Sequence, residues 1–238
     1  MEVAAWLAKA DSSNQLAGAD YATAMMRAGA VLTSAPDALS VSIDYLTRAA
    51  AIFEETLRKN PRIRFARANL GLTNEYLARR NETAGRIPLA VENARQALTV
   101  GLGMVKDEPD YASARINVMR SWDVLVHILA RSGDRVALAE AEKALETALD
   151  YAAHGPKPER MVLFPAEART WVGDVHAAFA EKPGGTPAQW RQARAQYAES
   201  RDAWKKLLSG APREAPARIE ELDKKIAACD GALLAAAK

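Results

Sequence analysis

A single cysteine, Cys229, stands in this chain of 238 residues, so no internal disulfide can hold the fold and the redox compartment is left open. In Ile226-Ala-Ala-Cys-Asp230 that thiol reads as a small half-buried core residue and not as a nucleophile. Aromatic residues are only 6% of the chain. No stretch alternates apolar and polar positions with β-branched enrichment, so a sheet has no candidate strands. No apolar run approaches the ~18 residues that a bilayer crossing needs. The first ten residues, Met1 to Ala10, lack both a basic start and a long apolar stretch, and do not read as a signal peptide. A dominant charge sign is missing too. Through Met119 there are 14 basic and 13 acidic residues, and after it 18 and 17. Nucleic-acid modules concentrate their basic residues on one face. Here only Arg58, Lys59, Arg62, Arg64 and Arg67 cluster, directly behind Glu54 and Glu55, as at a solvated helix junction.

Catalytic and cofactor chemistry is equally thin. His127 and His176 fall in separate helical stretches with no second ligand at metal spacing, and His154 falls in a Gly-Pro loop. The loops Gly155-Pro-Lys-Pro158 and Pro183-Gly-Gly-Thr-Pro187 lack the Lys-Ser/Thr pair, and the preceding strand, of a phosphate cradle. Carboxylates are scattered at helix-surface spacing. The reading is of a chain without catalytic residues, metal or cofactor.

What the sequence does contain is a period. Phe53 is followed eight residues later by Pro61, Gly101 by Pro109, Ala148 by Pro156 and Trp204 by Pro212. Trp6 fits the series with Asn14 in the proline place, and the terminators are 47, 48, 47 and 56 residues apart. Regular steps of this size mark an internal repeat. Proline is excluded from helix interiors and welcome at their borders, so each unit resolves into two helices. First helices are expected at 14–33, 62–80, 110–131 and 160–181, and second helices at 38–59, 86–107, 135–153 and 187–208. Thr186 and Asp134 serve as N-caps. The second helices carry i, i+3, i+4, i+7 stripes: Leu46, Ala49, Ala50, Phe53; Ala94, Ala97, Leu98, Gly101; Ala141, Ala144, Leu145, Ala148; Tyr197, Ser200, Ala203, Trp204. Alanine favours helix and lets helix axes approach closely. Stripes this wide need stacked neighbours to cover them. The segment 213–238 reads as a capping helix with Glu220, Glu221, Lys224 and Lys225 outward.

Helix pairs with small packing residues and a proline closing each unit resemble the tetratricopeptide family, whose ordinary repeat is about 34 residues. The longer repeat here lengthens each helix by nearly two turns. Tyr197-Ala-Glu-Ser-Arg-Asp-Ala-Trp204 is similar to something narrower. Long repeats C-terminal to the kinase domain of some bacterial serine/threonine protein kinases favour Tyr-x-x-Ser-x-x-x-Trp in the second helix. The likeness spans Trp6 to Pro212 as architecture and is matched well once as a motif. No kinase signature is present, so by that resemblance the chain would be the tail alone. The resemblance implies an all-α, right-handed superhelical stack of antiparallel helix hairpins. It would be a single α-solenoid domain over 1–238, with repeats at 1–13 (partial), 14–61, 62–109, 110–156 and 157–212. It also implies a non-catalytic scaffold for a protein or peptide segment, the alternative being a kinase-linked sensor tail that takes a small ligand in its groove. Nucleic acid, membrane insertion and cofactor form no part of it. The cytoplasm is the expected compartment, an extracytoplasmic tail being the kinase-linked alternative; oligomeric state is not addressed.

Ala66-Arg-Ala-Asn-Leu70 and Ala114-Arg-Ile-Asn-Val118 match one repeat apart, and Ala166-Glu-Ala-Arg169 echoes them. In tetratricopeptide proteins the first helices line a concave groove whose Arg, Lys and Asn side chains grip carboxylates. By that resemblance Arg67, Asn69, Asn74, Arg115, Asn117 and Arg169 are the candidate partner contacts. With Ala66 and Leu70 facing the core, positions 67 and 69 lie about 80° to either side, where hydrogen bonds between repeats explain the recurrence equally well. The start of the chain carries one more expectation. Ala5-Trp6-Leu7 aligns with Ala203-Trp204-Lys205, so Met1 to Asp11 reads as the back half of a second helix, and Met1 as an internal point of a longer architecture.

Overall fold

The computed structural model describes residues 15–32, 38–154, 159–211 and 213–237; Trp6, Asn14, Pro156 and Pro212 lie outside them. Helix accounts for 85% and there is no strand among the described residues. Within them nine α-helices follow one another: α1 (Gln15–Val31), α2 (Ala38–Lys59), α3 (Arg64–Thr83), α4 (Ile87–Asp107), α5 (Ala112–Ser132), α6 (Ala137–His154), α7 (Phe164–Ala180), α8 (Pro187–Lys206) and α9 (Ala215–Ala235). The alternation of first and second helices is the one the proline spacing predicts, with ends within a few residues. One boundary differs. A 3₁₀ turn at Glu159–Val162 precedes α7, because Pro165 in the first turn of the helix fixes where it begins.

Local chemistry sets the borders. Thr186 and Gln189 form a capping box at the start of α8, satisfying amides that the first turn leaves unpaired. Asp134 Oδ1 accepts from the Val136 N–H at 3.0 Å. At the other end of α5, Gly133 turns left-handed at φ 78°, and the Asp134 N–H donates back to the Leu129 carbonyl at 3.0 Å. A side chain at Gly133 would strain that reversal.

The chain divides into two compact units, residues 1–124 and 125–238, the division falling within α5. In the first unit, α1 packs on α2, α2 on α3 and α3 on α4. Its core gathers Ala19, Ala22, Met25, Leu46, Ala49, Phe53, Ala66 and Leu70. Ser42 Oγ donates to the Gly29 carbonyl at 2.6 Å, and Arg80 reaches from α3 to Ser42 Oγ at 3.0 Å and the Ala30 carbonyl at 2.9 Å. That guanidinium ties the end of α1 to the start of α2. In the second unit, α6 packs on α7, α7 on α8 and α8 on α9. Its core holds Ala193, Tyr197, Trp204, Ala211, Ala215, Leu222, Ile226 and Cys229. Ser200 Oγ donates to the Ala166 carbonyl at 2.7 Å, pinning α8 to α7.

Among the described residues the repeated packing position is buried at Phe53, Gly101, Ala148 and Trp204. Phe53 meets Phe65 of the next helix edge-on, with ring centroids 6.5 Å apart. At Gly101 a methyl would stand 3.0 Å from Val118 Cγ2 and 3.3 Å from the Val118 nitrogen. Here α5 comes close enough to fill the space that Phe53 and Trp204 take in their own repeats.

Candidate functional site

The first unit carries a long groove between α2 and α4, floored by α3. It consists of two adjoining hollows of about 620 and 310 Å³ that share Thr99 and Val100. One wall is a stripe of α4 at helical spacing: Pro88, Val91, Glu92, Arg95, Gln96, Thr99, Gly103 and Asp107. Glu54 and Leu57 of α2 stand opposite, and Arg67, Leu70 and Asn74 of α3 form the floor. The groove exists because α2 and α4 each pack on α3 and leave a gap above it. Gly103 keeps its lower end open: a methyl there would lie 3.3 Å from Arg67 Nη2.

Beneath the apolar lining lies a polar floor. Asn74, only 2% exposed, accepts at Oδ1 from Asn93 Nδ2 at 3.4 Å, and Asn93 Oδ1 accepts from Asn81 Nδ2 at 3.0 Å. The neighbouring Glu75 is 3% exposed and points to α5, where Arg120 Nη2 lies 3.0 Å from Oε2 and Ser121 Oγ 3.2 Å from Oε1. Burial pushes its carboxyl up to about 7, against the lowering influence of Arg120 and Ser121. This corrects the reading of every carboxylate as a surface residue.

The residues singled out by the sequence fall in different places. Arg67 and Asn74 line the groove, with Arg67 Nη1 2.7 Å from Asp107 Oδ2. Asn69 points the other way and donates to Thr23 Oγ1 of α1 at 3.2 Å. Arg115 is buried and donates through Nε to the Pro109 carbonyl at 3.1 Å. Asn117, half-buried on α5, accepts at its carbonyl from Ser121 Oγ at 2.9 Å. Arg169, in the second unit, is held by Glu199. Contacts within the fold thus occupy Arg67, Asn69, Asn74, Arg115 and Arg169. The groove residues the sequence reading missed sit on second helices: Glu54, Val91, Glu92, Gln96 and Thr99. A signal for them was present, since Val91 and Val100 widen the apolar face of α4 beyond its core stripe.

Four of the five residues of the basic cluster are paired locally. Arg58 and Lys59 pair with Glu55 at 2.8 and 3.2 Å, Arg64 with Glu108, and Arg67 with Asp107. In the second unit, Asp174 Oδ1 accepts from Tyr197 Oη at 2.8 Å and from Lys225 Nζ at 2.6 Å, while His127 Nε2 stands 4.0 Å from Oδ2. Burial, with Asp174 adding to it, pushes the Tyr197 phenol well above its ordinary range. Burial likewise raises the Cys229 thiol and lowers His176. Among the described residues no group of three or more His, Cys, Asp or Glu is placed to hold a metal ion. No described helix is long and apolar enough to cross a membrane.

No protein-family model matches the chain, and no curated protein matches it. Among solved structures it is similar to a thermophilic tetratricopeptide-repeat protein of Thermus thermophilus. The identity is 18%, the coverage 87% of this chain and 98% of that one, and the TM-score 0.35. A de novo designed helical repeat protein is also similar, at 12% identity, with coverage of 92% and 97% and a TM-score of 0.34. The chain is an all-helical repeat array. The resemblance to kinase-linked repeats gains no support from these comparisons.

Proposed function

We propose that the chain is a non-catalytic scaffold that takes a protein or peptide segment in the groove between α2 and α4. The observation carrying this reading is the groove itself: an apolar strip of Leu57, Leu70, Val91 and Val100 bordered by polar side chains. Interfaces with that pattern, an apolar centre within a polar rim, bind other proteins. Its length and open side suit a linear segment better than a compact small molecule. Gln96 and Thr99 of α4 are its exposed polar contacts, over a floor in which Arg67 and Asn74 are held by Asp107 and Asn93.

The perturbed groups elsewhere support a structural role for themselves. Glu75, Tyr197 and His176 are buried among helices, and the first two are held by neighbouring side chains. The pairing of four of the five basic residues in the cluster supports a protein partner over a nucleic acid, whose phosphates would need several free cations.

The test is a displayed library of random peptides selected on the intact chain and counter-screened on Thr99→Trp. Thr99 is exposed, so the indole fills the groove without touching the core. Binders that Thr99→Trp excludes support the reading. A library whose binders all tolerate Thr99→Trp would refute it.

A further inference from the structure

The groove walls say which form the segment takes, and the following rests on the proposed binding role of that groove. All three surfaces are α-helix, so their interior amides and carbonyls are already bonded along the helix, and no strand edge is offered to an extended backbone. The side chains that would otherwise grip such a backbone are committed within the fold: Asn74 to Asn93 and Arg67 to Asp107. An extended segment laid here would leave its own amides without partners, which costs free energy wherever water is displaced. A helical segment brings its backbone already satisfied and needs only an apolar stripe. The length agrees. From Pro88 to Asp107 the α4 wall rises about 28 Å, at 1.5 Å per residue, which is room for about five helical turns.

Charge then orients the choice. Glu54 on the α2 rim is exposed and has no partner among the described residues. Glu92 on the α4 rim accepts from the neutral Gln96 amide, at 3.3 Å. The larger hollow thus has two carboxylates, Glu54 and Glu92 on facing rims, against the one guanidinium of Arg95, a net charge of −1, while Arg67 and Asp107 balance each other in the smaller hollow. We infer that the occupant is an amphipathic α-helix of another protein, its apolar face on Leu70, Val91 and Val100 and its lysines or arginines along the flanks beside Glu54 and Glu92.

The probe is a labelled 18-residue Leu/Ala/Lys peptide with a helical apolar stripe, titrated into the full chain by fluorescence anisotropy. Three relatives accompany it: a proline-interrupted version, a version with Glu in place of Lys, and a shuffled version without the stripe. The lysine helix is expected to bind at least tenfold more tightly than each of the three. The double variant Glu54→Lys/Glu92→Lys is expected to reverse the preference between the lysine and glutamate helices, and Thr99→Trp to abolish binding. Both substituted rim positions are exposed, and circular dichroism confirms that the variants fold. Equal binding by the proline-interrupted peptide, still lost in Thr99→Trp, overturns the helical occupant and leaves the groove reading standing. Groove binding indifferent to the rim charges overturns the basic flank. Binding of the lysine helix that survives Thr99→Trp, or no binding to millimolar concentration, overturns the inference. The groove reading then stands or falls on the library selection alone.

Discussion

Glu75 offers a prediction whose sign is unusual for a carboxylate. The residue is 3% exposed, and the hydroxyl beside it has one proton and two acceptors within reach. Ser121 Oγ lies 2.9 Å from the Asn117 carbonyl and 3.2 Å from Glu75 Oε1. A protonated Glu75 resolves the competition by donating to Ser121 Oγ, leaving the hydroxyl proton to Asn117. Burial accordingly holds the carboxyl at about 7 against its ordinary 4.5, worth about 3 kcal/mol at roughly 1.4 kcal/mol per pH unit. Because the folded pKa is raised, the native chain keeps a proton that the unfolded chain releases. This group's contribution is therefore fully present below about pH 4.5 and is lost as pH rises to about 7. Glu75→Gln keeps the shape and removes the titration. Its loss of the pairing with Arg120, which is 41% exposed, costs at most about 1 kcal/mol. The variant should therefore exceed the parent by about 2 kcal/mol at pH 8 and match it within about 1 kcal/mol near pH 4.5. Urea denaturation of both proteins across that range measures this. Glu55, Glu220 and Glu221, whose pKa values are lowered, pull the other way with pH, so the difference between the two proteins is the quantity to follow. Parallel curves, or a Gln variant weaker than the parent at pH 8, would show that the buried ion pair stabilises the fold and that the reasoning fails.

Trp204→Ala, at a site 1% exposed, should lower stability by about 3–5 kcal/mol through the cavity it leaves; an unmoved denaturant midpoint would contradict the packing of α8 described above. Gly101→Val should cost about 1–3 kcal/mol by overpacking, since the added carbons meet both the side chain and the backbone of Val118, and thermal melting reads it. Arg80→Ala strips donors from Ser42 and the Ala30 carbonyl; a loss of about 1–3 kcal/mol is expected, with faster amide exchange at the α1–α2 junction.

How far the sequence reaches is clearest at particular residues. Pro61 and Pro109, each eight positions behind a packing residue, mark the helix borders, because a proline's missing N–H and fixed φ act locally. The stripe Leu46, Ala49, Ala50, Phe53 tells which face of α2 is inside, because burial follows the 3.6-residue period. The 3₁₀ turn before α7 went unread although its cause, Pro165 in the first turn of the helix, stands in the sequence. Arg67 and Asn69 show the limit more sharply. Two residues of one motif, two positions apart, end on opposite sides of α3, one over the groove and one against Thr23.

The sequence alone determined the all-helical class, the helix pairs and the inward faces, all of which follow from short-range periodicity and from proline, glycine and capping chemistry. Only the tertiary structure decided where α2 and α4 stand apart, which polar side chains are spent on neighbouring helices, and that Glu75 is buried while Glu54 and Glu92 face open space. Those outcomes depend on distances between segments tens of residues apart, and no local pattern encodes the gap between two helices that meet only through a third.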